Sequence, residues 1–141
     1  MNLLLKKLKS VKNPQEKCDI AVNLSFIKNK PEIIESIIKL LPLWEMTSYS
    51  GSKIIVYSRL IVNYYSSDKT IFLKLLKSKN VKVRRIISHA FCFTILADGV
   101  DNKKANLLYK KEFIPVLLNY YKKEPDKKLA KFVKEFLDEQ K

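Results

Sequence analysis

The chain has 141 residues, 28 of them basic and 14 acidic, for a formal net charge of +14. That length suits a single domain over residues 1–141, and a hydrophobic content of 47% excludes a disordered basic tail. Two glycines in the whole chain fit helices joined by short turns.

At the N-terminus, MNLLLKKLKS places only Leu3–Leu5 before the lysines, too short for a signal-peptide core. The longest apolar stretch, 86–97, is interrupted by Ser88, His89 and Thr94 and falls short of the roughly 20 residues a membrane span needs. The expectation is a soluble protein of the cytoplasm or another intracellular compartment, with no membrane insertion. Leu3, Leu4, Leu5 and Leu8 with Lys6, Lys7 and Lys9 read as an N-terminal cap, with a membrane-surface helix as the alternative.

Apolar periodicity predicts the next helix over 14–28, with Cys18, Ala21, Val22 and Phe26 on one side. Pro31 suits the first turn of another, because the N–H it lacks has no partner there. That helix carries Ile33, Ile34, Ile37, Ile38, Leu40 and Leu41 and stops at Pro42. The segment 47–52 reads as a loop containing Gly51, with Ser50 or Ser52 as a cap. Helices then follow over 54–65, over 68–77 with Ser67 or Asp68 as cap, and over 81–97. A long one is expected over 104–122 and a last one over 125–139. The helix at 81–97 is apolar almost all round and is the expected centre of the core. In the last helix Leu129, Phe132, Val133, Phe136 and Leu137 form one stripe, with Lys127, Lys128, Lys131 and Lys134 facing away, as a terminal cap should.

Paired leucines close three of these helices, at Leu40-Leu41, Leu75-Leu76 and Leu117-Leu118, at intervals of 35 and 42 residues. Such periods are the mark of helical solenoids, whose hairpins bury apolar faces against their neighbours. The stretch FLKLLKSKNVKVRRIISHAFCFTIL, residues 72–96, gives a leucine-rich helix end, a polar turn at 77–81 and a helix opening on Val83-Arg84. It resembles the HEAT repeat in that order. The resemblance implies an all-α fold, a right-handed α-solenoid of about three and a half HEAT-like hairpins, and a large binding partner. An irregular helical bundle is the competing architecture.

Charge gathers in the turns. Lys77, Lys79, Lys82, Arg84 and Arg85 surround one turn, and Lys122, Lys123, Lys127 and Lys128 surround another near Pro125. Cations at a helix N-terminus oppose the helix dipole, so helix stability does not explain the first group. If the hairpins stack, both turns lie on one edge and form a basic ridge for phosphates. In the HEAT resemblance Arg84 matches the repeat's own arginine, which bonds a neighbouring turn. Arg85 replaces a usual acidic residue and is the better candidate for a ligand. Tyr64-Tyr65 and Tyr120-Tyr121 either stack on unpaired bases or pack between hairpins with their hydroxyls in water.

Enzyme chemistry finds little support. His89 is the only histidine and sits in an apolar setting, where a satisfied core histidine is the plainer reading. Cys18 and Cys92 lack metal-ligand spacing and read as reduced, buried small hydrophobes. Asp101 and Asp126 read as helix caps. No catalytic residue, cofactor, metal or small-molecule substrate is assigned. The reading is a non-enzymatic module whose ridge of Lys79, Lys82, Arg84, Arg85, Lys122, Lys123, Lys127 and Lys128 docks a DNA or RNA backbone. The alternatives are a scaffold or inhibitor docking an acidic protein, and a HEAT-like DNA glycosylase for alkylated bases. The latter is suggested by a Val-Arg-Arg run like Val83-Arg84-Arg85 and would need a carboxylate at a cleft near Trp44 or the arginine pair.

Overall fold

Ten consecutive residues, Val56 to Tyr65, are buried, although Ser58, Arg59 and Asn63 fall among them. All but Tyr65 belong to the helix Ser50–Tyr64 (α4 in chain order) of a computed structural model that describes residues 2–28, 30–40, 50–97 and 99–140. Among the described residues the secondary structure is entirely helical. α1 (Asn2–Ser10) packs on α2 (Pro14–Leu24) and α3 (Pro31–Ile38), with Leu8 buried beneath it. α4 packs on α2 and, most extensively, on α6 (Val81–Cys92), which α5 (Lys69–Leu75) joins as a short hairpin partner. A single 3-10 turn, Thr94–Leu96, follows α6. α7 (Asn102–Leu108), a π-helical turn at Tyr109–Phe113 and α8 (Ile114–Tyr121) continue one another. α9 (Lys127–Glu139) closes the chain and packs on both α8 and α6.

Polar spokes hold α4 in the middle. The Tyr57 hydroxyl donates to the Ile37 carbonyl of α3 at 2.9 Å, and the Ser58 hydroxyl to Ala90 of α6 at 2.8 Å. Arg59 Nε donates to Ser25 Oγ at 2.9 Å while its guanidinium lies 4.0 Å from the Phe26 ring centroid. Tyr64 donates to the Ile27 carbonyl and accepts from the Lys30 N–H, pinning the turn between α2 and α3. The centre of the core is therefore shared by α4 and α6, not held by α6 alone. α6 buries Val83, Ile86, Ile87, Ala90, Phe91 and Cys92 but keeps Lys82 and Arg85 exposed.

Several helix ends depart from the periodicity. α2 stops at Leu24 because Ser25 turns its hydroxyl back onto the Val22 carbonyl and lends that oxygen to Arg59. α4 begins at Ser50, inside the expected loop. Asp68 sits at the N-cap position of α5 without a side-chain cap bond. Asn80 caps α6 instead, accepting from the Lys82 N–H at 2.9 Å. Asp101 and Asp126 do cap α7 and α9. The long helix expected at 104–122 contains Pro115, which cannot donate to the Lys111 carbonyl and crowds it. The wider turn at Tyr109–Phe113 absorbs that defect. Leu41 and Pro42, the segment 43–49 with Trp44, and Asp98 lie outside the described residues.

Gly99 has left-handed backbone, at φ 78°. A Cβ there would also stand 2.3 Å from the Phe26 ring. Replacing Gly99 with alanine is expected to destabilise the fold by about 1–3 kcal/mol, from the left-handed backbone and the clash together. Urea denaturation checks it, and Phe26→Leu in the same chain should restore only the steric part.

Candidate polyanion-binding edge

α6 begins one residue after Asn80, so its first turn carries Val83 inward and Arg84 sideways toward the C-terminal hairpin. There Arg84 meets Glu124, which lies 40 positions away in the turn between α8 and α9. Arg84 Nε donates to Glu124 Oε1 at 2.6 Å and Nη2 to Oε2 at 3.1 Å, a two-pronged pair. Nη1 donates to the Ser78 carbonyl at 2.8 Å, so the same side chain also fastens the turn before its own helix. Tyr120 donates its hydroxyl to Glu124 Oε1 at 2.5 Å, and the Asp126 N–H donates to Oε2 at 2.9 Å. The Glu124 side chain is wholly buried and the Arg84 side chain only 11% exposed.

Burial alone would raise the Glu124 pKa, but bonds from Arg84, the Asp126 N–H and Tyr120 outweigh it and hold the carboxyl below its ordinary range. Arg84 is correspondingly raised, first by its hydrogen bond to Glu124. Both shifts favour the charged forms, so the two groups form an ion pair near neutral pH. It also joins the two lysine-rich turns that the sequence marks out, 77–82 and 122–128. Lys79, Lys82, Arg85, Lys122, Lys123, Lys127 and Lys128 are all exposed around that junction. Arg84 is not among the exposed groups, because its fork is occupied by Glu124 and Ser78.

A groove of about 460 Å³ lies between the joined turns. Leu73, Leu76, Val116 and Pro125 give it apolar walls, Tyr120 and Asn119 line it on the α8 side, and Lys77 and Lys123 line it from opposite turns. Glu124 borders the same groove, yet each of its oxygens already accepts two hydrogen bonds. Its lone pairs are thus engaged within the junction. Trp44 is outside the described residues.

The tyrosine pairs divide. Tyr64 and Tyr65 are buried, Tyr64 on backbone partners at 27 and 30 and Tyr65 edge-on to Phe91 and Phe113 with centroids 6.0 and 5.0 Å away. They are core, and the Tyr64 hydroxyl is not in water. Tyr120 and Tyr121 are half-buried. Neither Cys18 nor Cys92 is in a disulfide, both are buried, and burial pushes the Cys92 thiol up to about 12. His89 stacks on Phe132 at 3.9 Å, and burial, helped by nearby Arg85, pulls its pKa down to about 4. The ring is neutral packing material for α9 near neutral pH.

What the sequence did not disclose is Glu124. Its spacing from Asp126 reads as a helix-end acid, and nothing local marks it as the partner of an arginine 40 residues earlier. Comparison with protein-family models, curated proteins and solved structures finds no match for the chain.

Two outcomes follow. Glu124→Ala strands a largely buried guanidinium and is expected to cost about 3 kcal/mol in urea unfolding, with Arg84→Met in the same chain recovering part of the loss. For His89, the unfolded ring takes up a proton below about 6.5 and the folded ring only near 4, so the unfolded state binds more protons between those values. Stability should therefore fall as pH drops from 6.5 toward 4, by about 1–2 kcal/mol after allowing for solvent screening. His89→Phe should flatten that part of a pH series of melting curves relative to wild type.

Proposed function

We propose that this chain is a non-enzymatic binding module whose basic edge docks a polyanion, most simply a nucleic-acid backbone. The observation that carries the reading is the Arg84–Glu124 pair, which sets two lysine-rich turns side by side. Lys79, Lys82, Arg85, Lys122, Lys123, Lys127 and Lys128 supply the phosphate contacts, and Arg84 positions them. Phosphates laid along such an edge release counterions, and lysine places them without reading sequence.

The same proposal takes the helices as a right-handed, HEAT-like stack of hairpins. Its support is the order of packing among the longer helices, α2 on α4, α4 on α6, and α6 on α8 and α9. The buried, unoxidised thiols suit a reducing intracellular setting. No helix among the described residues is long and apolar enough to cross a membrane. A scaffold docking an acidic protein would want a broad apolar face. The apolar recess between the turns is only the size of a small-ligand cleft.

The test is fluorescence anisotropy with short labelled DNA and RNA at two salt concentrations. With about six phosphates neutralised, affinity should fall roughly a thousandfold between about 50 and about 200 mM salt. Lys82→Glu with Arg85→Glu should abolish binding while leaving the circular dichroism spectrum intact. Absence of binding at the lower salt would sink the proposal.

A further inference from the structure

The groove between the joined turns adds something that the surrounding charge does not. It combines apolar walls (Leu76, Val116), a tyrosine ring, a side-chain amide and one lysine from each turn. Its volume of about 460 Å³ lies within the range of roughly 300–1,000 Å³ typical of small-ligand clefts. The Tyr120 ring is held in place by its 2.5 Å hydrogen bond to Glu124, so no side-chain freedom is lost when something packs on it. Asn119 is exposed beside it and carries both a donor and an acceptor.

We infer that this groove receives a single unpaired nucleobase, and that the module therefore selects single-stranded over double-stranded nucleic acid. The inference rests on the polyanion reading above and narrows it to one substrate class. A nucleic-acid strand alternates a charged phosphate with a flat, largely apolar base, and the groove presents that alternation in reverse. Lys77 and Lys123 take the phosphates on either side, and the base enters between the apolar walls against Tyr120. Asn119 meets the base edge without committing to one base, because an amide donor and acceptor can pair with any of them. In a duplex the bases are stacked and paired inside, so the recess stays unfilled and only the backbone contacts remain. An acidic peptide with an apolar anchor also pairs charge with an apolar group. It does not carry a charge on every repeating unit, as a nucleic-acid strand does, to meet the exposed lysines of both turns, Lys79 and Lys82 with Lys122 and Lys127.

The experiment compares three probes of equal length on the full chain: a single-stranded oligonucleotide, its fully abasic counterpart, and the duplex. Stacking one base should make the single strand bind roughly tenfold tighter than the abasic strand. Val116→Trp, which fills the recess, should erase that difference. In the unmodified chain, adding the single strand should shift the backbone amide resonances of Leu76, Asn119 and Tyr120, and the abasic strand should leave them in place, a readout independent of how the variant folds. Equal affinity for single and abasic strands, with those resonances unmoved, overturns the base-pocket inference while the basic edge stands. Failure of all three probes to bind overturns the polyanion reading and this inference with it. Binding of an acidic aromatic peptide in their place overturns both in favour of a protein partner.

Discussion

A helix buried on every side must find a partner for each polar group it takes inside, and α4 is such a helix. Apolar contact is non-directional and would tolerate sliding of α2, α3 and α6 around it. Hydrogen bonds to Ile37, Ala90, Ser25 and Ile27 are directional, and each fixes one neighbour at one height. A bond of this kind contributes about 1 kcal/mol net, but leaving its buried donor unmet costs more than that. Slipping any neighbour by a residue would strand a tyrosine, serine or arginine in the interior. The arrangement of the N-terminal helices is thus specified by polar groups and merely driven by apolar ones. One buried group does go unmet: among the described residues the Tyr109 hydroxyl has no hydrogen-bond partner, and it opens the π-helical turn that Pro115 imposes.

The basic edge inherits its geometry from that frame. α6 is fixed against α4 through Ser58 and Ala90, and its first turn then delivers Arg84 to Glu124. Holding two lysine-bearing turns together sets like charges near one another, and the chain's surplus of 14 positive charges offers little to offset them. Glu124 neutralises Arg84 and is sealed from the rest. The exposed lysines therefore repel across the junction, while a buried, two-pronged ion pair keeps them there. A polyanion laid over the edge would relieve that repulsion, so binding and stability are linked through the same residues, and anions should raise the melting temperature of this chain before any specific ligand is known.

Much of the helix order is legible in the sequence, since apolar spacing, Pro14, Pro31, Asp101 and Asp126 are local signals. The centre of the core was not, because Ser58, Arg59 and Asn63 look like a solvent face until their partners on other helices are known. Asp68 looks like a better cap than Asn80, yet Asn80 makes the bond to α6 and Asp68 makes none to α5. The break at Tyr109–Phe113 was written in Pro115, but the apolar period carries straight through it. At the site, the lysine clusters are plain from composition. Their juxtaposition depends on Glu124, whose role is long-range and leaves no trace in its neighbours. Tyr64 and Tyr65 end a helix beside a polar turn, which resembles an exposed stacking platform. Only packing against Phe91 and Phe113 and the bonds to residues 27 and 30 reveals them as core.

Arg84 and Arg85 show why charge alone does not assign a role. Consecutive residues on an α-helix point about 100° apart, so two adjacent arginines cannot face the same partner. Arg84 turns toward the C-terminal hairpin, loses its solvent and gains a carboxylate and a carbonyl; Arg85 remains exposed. Arg84 is thus committed to the fold, whereas Arg85 keeps its charge at the surface. On the proposed polyanion reading, removing Arg84 would weaken binding by letting the two turns part, whereas removing Arg85 would take an exposed charge from the edge itself. A loss of affinity on mutating either is ambiguous by itself. Stability reports on Arg84, because it sits on a buried ion pair whose breaking is costly.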